Sequence, residues 1–131
     1  MPKNLPWPEI VVTALVVVLG AGVYLYAHRD EGALEASKER GAVIVAALEA
    51  FHAEHGTYPE QLEELVPVSL PSLEQPTWGL GRWRYRRYTP ADVNETTDSS
   101  RVYFQLSVAA DESGYPVLYY DVAAERWVLN N

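Results

Sequence analysis

No cysteine occurs anywhere in the 131 residues, which excludes disulfides, zinc–thiolate sites and thiol nucleophiles. Basic residues are scarce too. Ten lysines and arginines face eighteen aspartates and glutamates, for a net charge of −8 and an isoelectric point near 4.8. General nucleic-acid binding needs a basic face that neutralises phosphates, so no nucleic-acid partner is expected. A nucleophile with a neighbouring base, a glycine-rich phosphate loop and a paired-carboxylate site are also missing. The sequence therefore points to no catalytic, cofactor-binding or metal-ligating residue, and to a protein that is not an enzyme. Its hydrophobic content of 48%, with nine Tyr and four Trp, argues for a packed domain rather than disorder.

The longest stretch without charge is Ile10–Ala27, IVVTALVVVLGAGVYLYA. As a helix rising 1.5 Å per residue it spans roughly 27 Å, close to the ~30 Å hydrocarbon core of a bilayer. Trp7 at one end and Tyr24 and Tyr26 at the other suit the two interfaces, where amphipathic rings collect. The expected partner of this segment is the lipid bilayer. A cleaved signal peptide is the alternative, with Gly20-Ala21-Gly22 as the small residues at the cut. Val23–Ala27 prolongs the apolar run into a helical pattern, which favours an uncleaved anchor. The expected organisation is a tail and transmembrane helix over 1–28 and a soluble domain over 29–131. Lys3 precedes the span, and Arg29, Lys38 and Arg40 follow it among Asp30, Glu31, Glu35 and Glu39. A literal positive-inside count leaves the N-terminus outside, yet long domains translocate largely regardless of charge.

Residues 28–40 are polar, without proline, so the span is expected to continue as one helix to about His55. Its domain half carries Ile44, Leu48 and Phe51 at i, i+4 and i+7, one helical face, with the small residues Ala42, Ala46 and Ala53 behind it. Gly56 suits the left-handed residue that ends many helices. Thr57, Pro59 and Glu60 then signal a new start, for a short helix over 59–66 carrying Leu62, Leu65 and Val66 before Pro67.

The runs Ala47-Leu48-Glu49-Ala50-Phe51, Gly56-Thr57-Tyr58-Pro59, Leu62 and Leu65-Val66-Pro67 resemble a stretch of type IV pilin-like proteins, most nearly the major pseudopilins of type II secretion systems. The motif match covers about residues 41–67. The resemblance implies a pilin-like fold and a structural or assembly role, with other pilin-like subunits or secretion components as partners. It also implies an N-terminus inside the cytoplasm and a C-terminal domain in the periplasm, held by a single pass of the inner membrane. Such proteins carry a glycine at the peptidase site and a glutamate at the fifth mature position. Here Asn4 replaces the glycine, and counting from Leu5 makes Glu9 fifth. The alternative role is a solitary anchored binding domain with this fold and no place in a filament.

Strand signals fill 82–130. Arg82–Tyr88 alternates Trp83 and Tyr85 against Arg82, Arg84 and Arg86. Arg101–Ala109 alternates Val102, Phe104, Leu106 and Val108 against Tyr103, Gln105 and Ser107, and Tyr115–Asp121 and Glu125–Leu129 make two more runs. Four antiparallel strands with one apolar face need a cover, which the long helix supplies. The expected fold is therefore α+β, a long N-terminal helix packed on a four-stranded antiparallel sheet.

Three groups carry some chemical potential. Glu49, His52 and His55 recur at i, i+3 and i+6, but Glu49-x-x-His52 lacks the second copy that a di-iron helix pair requires. Asp92, Asn94, Thr96 and Asp98 alternate oxygen ligands as a calcium loop does. Thr97 and Tyr103, however, stand where an EF-hand has glycine and glutamate. Arg82, Arg84, Arg86 and Arg87 form a basic patch that either meets an acidic partner or guards an edge strand.

Overall fold

The computed structural model describes residues 7–88 and 103–131. One α-helix, α1, runs from Trp7 to His55. A 3-10 helix follows at Leu62–Leu65, then four strands: β1 (Arg84–Tyr88), β2 (Tyr103–Ala109), β3 (Val117–Asp121) and β4 (Arg126–Asn130). The strands form one antiparallel sheet in the order β1-β2-β3-β4. A long helix packed on a four-stranded antiparallel sheet is the α+β layout expected from the sequence. The chain divides into two compact units between Gly32 and Ala33.

In the first unit every described residue is exposed, including Val11, Leu15, Val18 and Leu25. This part of α1 is long and apolar enough to span a membrane. The second unit holds the core. Ile44 and Leu48 of α1 meet Leu62, Leu65, Leu70, Phe104 and Leu106, all buried. Phe51 is only half buried and stacks on His55, with centroids 4.1 Å apart. It flanks the core rather than filling it. On β2 the expected alternation holds for Phe104, Leu106 and Val108, whose side chains face inward.

α1 ends where expected. His55 is its last residue, Gly56 takes φ +74° and its N–H donates to the His52 carbonyl at 2.8 Å. The helix expected over 59–66 is a correction: only Leu62–Leu65 is helical, as one 3-10 turn. Gln61 and Val66 on either side are extended, Val66 as befits a residue before proline. The Tyr58 and Pro59 carbonyls, which a continuous helix would need as acceptors, instead receive hydrogen bonds from Arg87 and the Tyr85 hydroxyl.

Residues 1–6 and 89–102 lie outside the description. With them fall the residues around Asn4 and Leu5, the Arg101–Val102 end of the second strand and the Asp92–Asp98 loop weighed for calcium.

Candidate functional site

Two features of α1 were not anticipated, and both lie one or two turns before Ile44. Ser37 is fully buried, and its hydroxyl donates to the Ala33 carbonyl at 2.8 Å. The same oxygen accepts the backbone N–H groups of Thr77 and Trp78, each at 3.0 Å. The Thr77 hydroxyl donates to the Ala33 carbonyl as well. The Pro76–Trp78 segment is thus tied to the helix through one side chain. Gly41, one turn on, lies beneath Trp127 of β4, and a Cβ added there would overlap the Trp127 ring and come within 3.0 Å of Trp83. The apolar face therefore begins earlier than Ile44, as Ser37, Gly41, Ile44 and Leu48 at i, i+4, i+7 and i+11. Its first two members are small because a loop and two indoles lie against them. The spacing was visible in the sequence; neither residue type announces burial.

At the other end of this face, the Glu49–His52–His55 group is split up. Glu49 accepts the Tyr58 hydroxyl at 3.1 and 3.2 Å. His52 stacks on the Tyr58 ring, and His55 turns back to its own helix and donates from Nδ1 to the Phe51 carbonyl. Tyr58 is buried, edge-on to Phe104 at 4.9 Å. Arg87 clasps the same corner, with hydrogen bonds to the Tyr58 carbonyl and to Glu60 at 3.2 and 3.1 Å. The group is a packed junction between the end of α1, the following turn and β1.

Burial, then the Glu49 carboxylate beside it, pushes the Tyr58 phenol up to about 12. Burial likewise holds Tyr85 above the ordinary tyrosine range. Both groups keep their proton in the folded chain at a pH where the unfolded chain, near 10, has lost it. Stability is therefore full below pH 10 and falls as pH rises through about 12. Urea melts between pH 8 and 12 should show this decline for the wild type and a shallower one for Tyr58→Phe. Parallel declines would exclude Tyr58 as a source.

A groove of about 450 Å³ lies between α1 and the segment after the 3-10 helix, walled by Ala36, Val43, Leu70 and Pro71 with Glu39 and Glu74 at its rim. Arg40, also in its wall, is committed to the Gln75 carbonyl at 2.7 Å and to Glu74 at 3.5 Å. Among the described residues no three His, Asp or Glu side chains gather as a metal site.

The arginine patch divides by strand register. Arg87 sits on the covered face opposite Phe104, whereas Arg84 and Arg86 lie on the outer face opposite Ser107 and Gln105. Arg82 reaches Glu112 at 3.6 Å. What the described residues offer, then, is surface: an apolar helix in one unit, and in the other a closed core with a basic strand face. Comparison with family models, with curated proteins and with solved structures gives no match.

Proposed function

We propose that this chain is a membrane-anchored, pilin-like structural or assembly protein of a type II secretion or type IV pilus-like system. It acts by helix packing and protein–protein contacts and performs no catalysis. The observation that carries the reading is α1 itself, a single helix whose first part is an exposed apolar run and whose last part supplies Ile44 and Leu48 to the domain core. The G-x-Y-P stretch at Gly56–Pro59, with Tyr58 and Pro59 buried at the junction, supports it. In this reading Ile10–Ala27 sits in the inner membrane and the domain lies in the periplasm. Ala42, Ala46 and Ala53 are exposed along α1, and side chains this small let another helix approach closely.

The lack of cysteine makes a direct test available, since any introduced cysteine is unique. Single cysteines at Val16, Leu19 and Ala46 should each give oxidised dimers in intact cells. Monomer at all three positions would sink the assembly role. It would leave the solitary anchored binding domain, a reading that Asn4 at the expected processing site and the prolines at 6 and 8 already favour.

A further inference from the structure

The chain is acidic, yet the outer face of β1 and β2 carries a positive basin. About 380 Å³ in volume, it is lined by Arg84, Arg86, Gln105, Ser107, Tyr115 and Val117. The register fixes this arrangement. Arg84 pairs with Ser107 and Arg86 with Gln105, so both guanidinium groups rise from one face, two residues apart. Neither has an ion-pair partner among the described residues, whereas Arg82, Arg87, Arg40 and Lys38 each have one. Arg86 lies over the Tyr88 ring at 4.9 Å, which steadies it without neutralising it. Tyr115 is 59% exposed and stands at the basin's edge.

Guarding a sheet edge would need charge on the strand but no basin and no aromatic wall. We infer that this basin binds an extended acidic segment of a partner polypeptide, its carboxylates seated on Arg84 and Arg86 and its backbone running past Tyr115. The spacing is what selects an extended chain. Alternate residues of a strand lie about 6.6–6.8 Å apart, so carboxylates at i and i+2 of an extended partner match the two arginines. Each planar guanidinium can hold a carboxylate through two parallel hydrogen bonds. Arginine and tyrosine are also the residues that dominate binding energy at protein interfaces. A nucleic acid fits poorly, because two arginines on a chain of net charge −8 give little phosphate neutralisation. This inference goes beyond the assembly role, since the basin is on the face of the sheet turned away from Ile44 and Leu48 and needs no helix–helix contact.

The test uses the full chain in nonionic detergent and a fluorescein-labelled peptide of alternating glutamate and threonine, followed by anisotropy at low and moderate salt. The wild type should bind, and more weakly as salt rises. Arg84→Glu with Arg86→Glu should weaken binding about tenfold or more, while Arg126→Glu, exposed on β4, should leave it within twofold of wild type. Circular dichroism would confirm that both variants keep the wild-type fold. No binding at low salt would overturn the inference. So would equal binding by the double variant and the wild type, or tighter binding of an oligo-dT competitor than of the peptide.

Discussion

Deleting residues 1–32 should leave a soluble domain that unfolds in one cooperative transition, and deleting residues 1–48 should leave a fragment that aggregates. The first cut falls between the two compact units and keeps Ala33 and Ser37, hence the hydrogen bonds that fasten Pro76–Trp78 to the helix. The second removes Ile44, Val45, Ala47 and Leu48. Leu65, Leu70, Phe104 and Leu106, buried in the intact chain, then face water, and apolar surface of that kind drives association. Leu48 has no exposed surface at all. Leu48→Ala in the longer fragment should therefore cost about 2–5 kcal/mol, against the roughly 5–15 kcal/mol that holds a domain together. Phe51→Ala should cost less, because its ring is partly exposed at the edge of the core and rests on His55. Urea melts followed by circular dichroism measure all four. A cooperative transition in the fragment beginning at Glu49 would show that α1 is not the core's cover.

Gly41 should gain no stability from a side chain, against the usual behaviour of a glycine inside a helix. Replacing a helical glycine by alanine ordinarily gains about 1 kcal/mol. Gly32 lies in the same helix with nothing within 4 Å of an added Cβ, so Gly32→Ala should leave the melting temperature unchanged or raise it. At Gly41 the added carbon enters the Trp127 ring and crowds Trp83. Overpacking of this kind costs about 1–3 kcal/mol and more for larger groups. Gly41→Ala should thus lose most or all of the helix-propensity gain and end near or below wild-type stability. Gly41→Leu should be severely destabilised and should shift the tryptophan emission, since Trp127 also packs edge-on to Tyr120 and tilted against Trp83. Gly41→Ala melting above wild type by as much as a simple propensity gain would mean that the indole is free to move aside.

The parts of this protein that were legible in the sequence are those in which one physical effect dominates. An 18-residue run without charge can be read by length alone, and the alternation of Phe104, Leu106 and Val108 has period two whatever surrounds it. Gly56 was legible because positive φ selects glycine. The 3-10 turn at Leu62–Leu65 was not, because its length is decided by Arg87 and the Tyr85 hydroxyl reaching the carbonyls of Tyr58 and Pro59. Those donors are more than twenty residues away, and no local propensity contains them. Ser37 and Gly41 were hidden for a related reason. They are small and polar or neutral in a polar stretch, and their burial comes from Thr77, Trp83 and Trp127. The arginine cluster read as one patch of four, and pairing with β2 is what separates Arg87 from Arg84 and Arg86. The acid–histidine spacing at Glu49 and His52 was visible, but its use in holding Tyr58 was not.

The seat of Trp127 on Gly41 also sets an order of events. Gly41 belongs to the first element of the domain to leave the ribosome, and Trp127 to β4, the last of the described elements. Ile44 and Leu48 have no complete partner surface until β2 has been made, and the indole that closes over Gly41 arrives later still. The domain half of α1 must therefore wait, apolar side uncovered, until the sheet has been made, and native closure follows the synthesis of β4. In the proposed periplasmic placement, this delay would keep the domain threadable during translocation. It also exposes the waiting helix to any holding factor that recognises an amphipathic segment.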